Sequence, residues 1–549
     1  MSALSEMTRI AVISSLEKIF PNDDLQNKIF KHFSMLRNER LHFQTAVFAK
    51  KGDVIHFSID SPLSEFCQIS YVKMIPAGTN SPKKSDDYFI AKDKTEYPEL
   101  LEPTEDNKIT AIYDGYNVFW IELFSQSGLP VGEYTLTCCT EINGLQAETS
   151  VQCTVIDAFL PKQEMIYTNW FHTDCLMQYY GFEAFSEEYW RVTENFLRRA
   201  AEYGMNCVLT PLFTPPLDTK IGGERPTVQL VDVTVTGKHT YTFQFDRFDR
   251  WIAMCDRCGI EYYEMSHLFT QWGARHAPKI MAQKNGADVQ IFGWKTRAAG
   301  SAYNRFLEQF SDAILKHIDE KGIREKCLFH ISDEPAGAMI RTYKKASKVI
   351  HAYFKDVKII DALSDFKIYE KGLIETPIPA NDHISPFIGK VPELWTYYCC
   401  VQAEKNVANR FFAMPSLRNR VLGTQLYKYD VKGFLHWGYN FYFLQYSKGL
   451  IDPYKVTDAG GGFSSGDSFI VYPKKDGTPL DSLRLHVFYD ALQDMLALKL
   501  LESKIGKEKT LQILEENCEK PITFNEYPHN EDWLLEMREK INQAINSNL

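Results

Sequence analysis

The sequence predicts a β-sandwich followed by an α/β barrel of the (β/α)8 TIM type, with a helical extension at the C-terminal end. Three observations carry this reading. Residues 1–158 contain short runs rich in Val, Ile, Phe, Tyr and Thr, several alternating apolar with polar, as half-buried strands do. Residues 159–503 alternate short apolar runs with stretches of helical period, the pattern of a parallel sheet or barrel. Eight apolar runs fall in that second region, the number such a barrel needs. A chain of 549 residues is also too long for one ordinary core, so more than one domain is expected.

In the first unit, strands are expected at 42–50, 54–60, 67–74, 109–124, 132–140 and 149–156. Residues 79–107 are rich in Lys, Asp, Glu, Ser and Pro and read as a long polar loop. A β-sandwich fits this unit best.

In the second unit, strands are expected at 164–170, 206–212, 261–269, 327–332, 357–363, 382–387, 394–399 and 433–437. Ser186 can cap the helix after the first of these, with Glu187 and Glu188 favourable in its first turn. Tyr189, Val192, Phe196 and Ala200 recur along it at helical spacing, and Gly204 ends it. Met339, Tyr343, Ala346, Ile350 and Tyr353 form a second helical stripe, and Asp481 can cap a third, very apolar helix. Residues 228–245 alternate strongly and read as an inserted hairpin, and 504–549 as a polar helical extension packed on the barrel.

The most informative run is Cys327-Leu328-Phe329-His330-Ile331-Ser332-Asp333-Glu334-Pro335. It reads as an apolar strand that ends in two adjacent carboxylates and a proline. Proline cannot donate to a ladder, so pairing stops there. Asp333 and Glu334 then sit at the carboxyl end of a strand, where such folds bind ligands. Two like charges forced together take up protons unequally. The result is a protonated acid beside an ionised carboxylate, the division of labour that glycosidic cleavage uses. The plainer alternative is that Asp333 caps the helix that follows. Neighbours in a regular strand point to opposite faces, so one pocket can use both only if the backbone bends near Pro335.

Other strand ends share this character. They carry Trp170, His172 and Asp174; His267, Gln271 and Trp272; Trp395, Tyr397 and Tyr398; and His436, Trp437 and Asn440. Singly, each is explained as core or as a satisfied histidine. Repeated at the face where a barrel holds its active site, they describe aromatic walls with a few hydrogen-bonding groups, suited to a sugar.

Composition narrows the partners. The net charge is −10 with no basic cluster, so no nucleic-acid partner is expected. No run of about 18 apolar residues occurs, so no membrane span is expected. Residues 1–21 lack an uninterrupted apolar stretch, so no secretory signal is read. The 12 cysteines are scattered, as in a reducing cytosol, and a cytoplasmic location is expected. Two cysteine pairs are immediate neighbours, Cys138-Cys139 and Cys399-Cys400. Cys255 and Cys258 have CxxC spacing on a helical stretch without a second pair. No HExxH or His-x-His occurs, so no metal is expected. No phosphate-binding glycine motif follows a strand, Gly460-Gly461-Gly462 reads as a loop, and no cofactor is expected.

Several segments together resemble glycoside hydrolase family 123, the β-N-acetylgalactosaminidases. They are Trp170-Phe171-His172-Thr173-Asp174, Ile331-Ser332-Asp333-Glu334-Pro335, Met414-Pro415-Ser416-Leu417-Arg418-Asn419-Arg420, Gly433-Phe434-Leu435-His436-Trp437-Gly438 and Asp481-Ser482-Leu483-Arg484. They span most of residues 160–500. The resemblance implies a β-sandwich before a catalytic barrel, and cleavage helped by the substrate. In that scheme the 2-acetamido carbonyl oxygen attacks the anomeric carbon, giving an oxazoline-type intermediate and net retention. It further implies that Asp333 orients the acetamido group, while Glu334 protonates the leaving oxygen and later activates water. The expected function is a retaining exo-β-N-acetylhexosaminidase, with N-acetylgalactosamine the first sugar to consider, and the expected partner is a glycan or glycoside ending in N-acetylhexosamine. Two alternatives stand beside it: a barrel glycosidase for other sugars that uses a carboxylate nucleophile, and a non-catalytic glycan-binding protein.

Overall fold

The computed structural model describes residues 10–549 except 26, 27, 29 and 336. The reading of residues 1–21 as lacking a secretory signal therefore falls partly outside the described residues.

Two sheets face each other at the N-terminal end. One holds five strands in the order His32–Leu36, Leu145–Ile156, Gly132–Ile142, Val54–Asp60 and Lys108–Thr110. The other begins Ile10–Ser14, Leu41–Ala49, Gly115–Leu123, Cys67–Pro76 and Glu96–Pro103. Between them pack Phe33, Phe43, Phe57, Phe119, Leu136 and Val151, the inward residues of alternating strands. Phe57 and Phe119 stack with ring centroids 4.4 Å apart. The polar loop expected over 79–107 ends early, because Glu96–Pro103 pairs with Cys67–Pro76. The second sheet is completed from far along the chain by Pro479–Ser482 and Val471–Pro473.

The second region builds an eight-stranded, all-parallel sheet. In chain order its strands are Ile166–Asn169, Cys207–Thr210, Tyr262–Met265, Cys327–Phe329, Lys358–Ala362, Thr376–Ile378, Trp395–Tyr397 and Gly433–His436. Spatial order follows chain order, and a parallel bridge between Ala380 and Tyr397 brings the two open edges together. The sheet thus curls into a nearly closed barrel. Ile166, Leu209, Leu328, Ile360, Ile378, Trp395 and Leu435 fill its interior.

The sixth strand is a correction. It was expected at 382–387 and lies at Thr376–Ile378. Pro377 and Pro379 disguise it, because proline is normally excluded from a sheet interior. It is accommodated here because this strand borders the seam of the barrel, and on that side its neighbour is reached only beyond its end, through Ala380. Residues 379–394 form turns rather than a helix, so strand and helix do not alternate around the whole ring.

The inserted hairpin is present as Asp232–Gly237 and Thr240–Gln244, and a second hairpin, Ile280–Lys284 with Ala287–Phe292, joins it in a four-stranded sheet. The long helix Leu483–Ile505 is buried nearly all round. Its cap is Ser482, whose Oγ accepts from the Leu485 amide at 3.2 Å, and not Asp481. Asp481 instead accepts from Arg199 at 2.9 Å and meets His486 at 3.0 Å. The C-terminal helix Glu531–Asn546 rests against this helix and against the sandwich, where Glu539 accepts from the Ser34 amide at 2.6 Å. Among the described residues no helix is long and apolar enough to cross a membrane.

Candidate active site

The carboxyl ends of the barrel strands open into one cavity, and the fourth strand supplies its acids. That strand stops at Phe329, and Glu334 adopts a left-handed backbone with φ of 43°. Such a conformation costs a non-glycine residue on the order of 1 kcal/mol. It breaks the alternation of a strand and turns Asp333 and Glu334 onto the same cavity. The bend is held by two backbone bonds: Trp272 N–H donates to the Asp333 carbonyl at 2.9 Å, and Glu334 N–H to the Ala362 carbonyl at 3.2 Å.

Both acids are half-buried and bind protons more tightly than usual. Burial holds the Asp333 carboxyl well above the ordinary range, and the Glu334 and Asp361 charges add to this. Burial also raises Glu334, partly offset by the Tyr397 hydroxyl and reinforced by Asp382. Tyr397 donates to Glu334 Oε1 at 2.5 Å, which favours the ionised form of that carboxyl. Burial thus favours a protonated Asp333, while the Tyr397 hydroxyl favours an ionised Glu334.

Beneath this pair lies a charged foundation with no exposure to solvent. His330 bridges Glu264 at 2.6 Å and Asp361 at 3.1 Å. Burial alone would lower the His330 pKa, but the hydrogen bonds to Asp361 and Glu264 raise it to about 9, so the ring is an imidazolium between two carboxylates. Glu264 also accepts from the Trp170 indole at 2.7 Å and from the Thr168 hydroxyl. Asp361 accepts from the Ile331 and Ser332 amides at 3.1 and 3.2 Å and from the Tyr343 hydroxyl at 2.6 Å. The network ties a pocket wall, Trp170, to the backbone just before the two acids. His267 stacks on His330 with ring centroids 4.2 Å apart. Ligand atoms of His267, His330 and Asp361 lie within 4.8 Å of one another. Both His330 nitrogens are already engaged, so the cluster acts as an ion-paired support.

The opposite wall is mixed. The Asp218 amide donates to Gln271 Oε1 at 2.6 Å, and its carboxylate accepts from the Tyr446 amide at 2.8 Å. Burial raises Asp218 to about 6. Trp437 donates to Asp467 at 3.0 Å and meets Phe463 edge-on at 4.9 Å. Phe463 arrives on the loop that contains Gly460-Gly461-Gly462, where Gly460 and Gly461 take positive φ.

Of the residues expected at the site, Trp170, Gln271, Trp272, Asp333, Glu334, Tyr397 and Trp437 line this cavity. Seven others lie elsewhere. Trp395 sits inside the barrel, fully buried against Gly433, because it starts its strand and so lies deeper than Tyr397. Tyr398 points outward and donates to Asn419 at 2.9 Å. His172, Asp174 and Asn440 join a buried polar cluster: Arg225 holds Asp174 at 2.7 Å and His172 at 3.1 Å, and Asn440 accepts from the His172 amide at 2.8 Å. Burial lowers the His172 pKa to about 3, and Arg225 adds to the effect. His267 is buried in the foundation. His436 is likewise buried and accepts from Arg410 at 2.8 Å. Sequence reasoning missed Asp218, Leu217, Cys399, Cys400 and Phe463 at the cavity, and Glu264 and Asp361 beneath it. A polar Asp218 amid Phe213-Thr214-Pro215-Pro216-Leu217 just after a strand was the one available signal.

A larger cavity of about 440 Å³, against about 100 Å³ here, opens between the sandwich and the C-terminal helix. Its charged residues are largely paired with one another, as Arg538 with Glu39 at 2.8 Å. Convergent acids and aromatic walls, not size, distinguish the smaller cavity.

Residues 170–501 match the model of the glycoside hydrolase 123 catalytic domain. A family 123 glycoside hydrolase from Clostridium perfringens shares the fold with a TM-score of 0.75 at 14% identity, covering 98% of each chain. Weaker likenesses include a β-glucuronidase from Parabacteroides merdae, with a TM-score of 0.32 at 10% identity over 88% of this chain and 51% of that one. An endo-β-1,4-mannanase from Thermotoga petrophila gives 0.32 at 12% identity over 61% and 78%. No curated protein matches this chain in sequence.

Proposed function

This chain belongs to glycoside hydrolase family 123 and is a glycoside hydrolase, and from that premise we propose that it is a retaining exo-β-N-acetylhexosaminidase acting first on N-acetylgalactosamine. The observation that carries the reading is the bend that turns Asp333 and Glu334 onto one aromatic-walled cavity. Substrate-assisted cleavage needs no carboxylate nucleophile; it needs one group to steady the acetamido nitrogen and one acid at the leaving oxygen. Burial raises Asp333 and the Tyr397 hydroxyl favours an ionised Glu334, a bias opposite to those roles. Binding corrects this. An acetamido N–H donating to Asp333 stabilises its anion, and the proton passes to Glu334, where the leaving oxygen requires it. Trp170, Trp272 and Trp437 border the sugar, and Gln271 offers a buried Nε2 without a partner among the described residues.

We further divide the chain into a sandwich at 1–158, a catalytic barrel of the (β/α)8 type at 159–503, and a helical extension at 504–549. The Clostridium perfringens relative hydrolyses glycolipid glycans, so glycolipids join the substrates to try.

The test is a panel of aryl β-glycosides of N-acetylgalactosamine, N-acetylglucosamine, galactose and glucose, with product configuration followed by NMR. Turnover restricted to 2-acetamido sugars, with retention, supports the reading. Comparable turnover of galactose or glucose would instead favour a carboxylate nucleophile, and binding without turnover would favour a glycan-binding protein.

A further inference from the structure

Adjacent cysteines occur twice, and the backbone treats the two pairs differently. Cys138 and Cys139 lie within the strand Gly132–Ile142. Neighbours in a strand face opposite sides, so Cys138 is buried in the sandwich core beside Thr45 while Cys139 is half exposed on the other face. That pair cannot act together. Cys399 and Cys400 follow the strand Trp395–Tyr397 and lie where the chain turns. The alternation ends there, and both side chains line the candidate pocket with their sulfurs 3.8 Å apart. The turn is clamped: the Cys399 amide donates to Gln402 Oε1 at 2.9 Å, and Asn409 Nδ2 donates to the Cys399 and Gln402 carbonyls at 2.8 Å each. Tyr397, two residues earlier, holds Glu334, so the sulfurs share the cavity with the acids.

We infer that Cys399 and Cys400 form a dithiol site for a soft, trivalent thiophilic centre of the arsenoxide class, and that its occupancy closes the pocket. The step is a condensation with no change of oxidation state. Two S–H bonds and the arsenic–oxygen bond break, two arsenic–sulfur bonds form, and the oxygen leaves with both thiol protons as water. The second sulfur attacks intramolecularly, so the chelate gains over any single thiol. Both thiols are held protonated: for Cys399 its neighbouring thiol and burial act together, and for Cys400 the opposite pull of Cys399 is outweighed by burial together with the Asp467 and Glu334 charges. Reagents that need a thiolate should therefore react slowly here, whereas an arsenoxide carries the protons away in its own leaving oxygen.

The experiment treats the full-length protein with phenylarsine oxide and reads intact mass, the modified peptide, tryptophan fluorescence and glycoside turnover. One adduct bridging Cys399 and Cys400 is expected, reversed by a dimercaptan and not by an equal concentration of monothiol. Fluorescence from Trp170, Trp272 and Trp437 should change with it, and turnover should fall at least about tenfold. Cys399→Ser and Cys400→Ser should each weaken capture roughly 100-fold or more, while Cys258→Ser, which breaks the CxxC pair, should leave it intact. Peptide mapping of the unaltered protein decides the site even if a variant fails to fold. An adduct mapped to Cys255–Cys258, or one at Cys399–Cys400 that leaves fluorescence and turnover unchanged, overturns the inference. The closing of the pocket is read as lost turnover only under the hydrolase reading; adduct mapping and fluorescence stand whatever the substrate, so failure of one is distinguishable from failure of the other.

Discussion

Glu334 in a left-handed turn is what allows two sequence neighbours to face one cavity, and the sharpest expectations concern this pair. Glu334→Gln keeps the shape and the Tyr397 contact but cannot deliver a proton. It should cost about 10²- to 10⁴-fold in turnover of glycosides with poor leaving groups, and much less in the glycosylation step of activated aryl glycosides, as single-turnover kinetics would reveal. Asp333→Asn should damage both classes of substrate, because acetamido participation is impaired whatever departs. A thiazoline that mimics the cyclic intermediate should bind this variant less tightly than the parent in an inhibition assay. These two acids were legible in the sequence because Pro335 marks the end of pairing beside them. Their foundation was not. Glu264 and His330 are 66 residues apart, and His330 and Asp361 are 31 apart, and nothing local in the sequence says that three charges will meet in the interior.

Among elements, the strands differ in which level of the barrel their aromatics occupy, and residue type alone does not disclose the level. Trp395 opens its strand and Trp437 lies just beyond the end of another, yet both read as pocket walls in the sequence. Their truncations should separate. Trp395→Ala empties a closed interior packed on Gly433 and should cost about 3–5 kcal/mol of unfolding free energy in a denaturant titration. Trp437→Ala removes a half-buried rim residue, so the melting temperature should stay close to that of the parent while substrate binding and turnover fall. A normal melt with unchanged sugar binding would move the pocket toward Trp170 and Trp272. Element prediction succeeded wherever apolar runs were bounded by helices, and failed at Thr376–Ile378, where two prolines at the seam of the barrel resemble a loop. The second hairpin, Ile280–Lys284 with Ala287–Phe292, escaped because its outward face is polar and its strands are short.

Across the whole molecule, the sandwich and the catalytic region are joined by buried charge. His42 meets Asp490 of the long helix at 2.7 Å and Glu122 of its own sheet at 3.1 Å. Burial alone would lower the His42 pKa, but Asp490 and Glu122 overcome it and raise it to about 9. The folded state thus keeps a proton that the unfolded chain releases near the ordinary histidine value of about 6.5. The stabilisation is fully present below that value and is lost as pH rises through about 9, at up to about 1.4 kcal/mol per pH unit. His330 contributes with the same sign over the same window. Denaturant titrations between pH 6 and 9.5 should show stability falling, and His42→Gln should flatten part of that slope. An equal slope in the variant would mean that His42 is neutral in the fold.

The strands Val471–Pro473 and Pro479–Ser482 complete a sheet whose other members all lie before residue 124. During synthesis, the strand Glu96–Pro103 must therefore wait as an open edge while several hundred further residues are made. Pro98 and Pro103 stand on that strand, and a proline cannot donate to an intruding strand. The waiting edge is thus poorly suited to pairing with another nascent chain. The sandwich emerges before the barrel yet is finished only after the barrel's last strand, so a copy that stalls before residue 482 should be recognised by proteases as unfinished, however well residues 10–158 have folded.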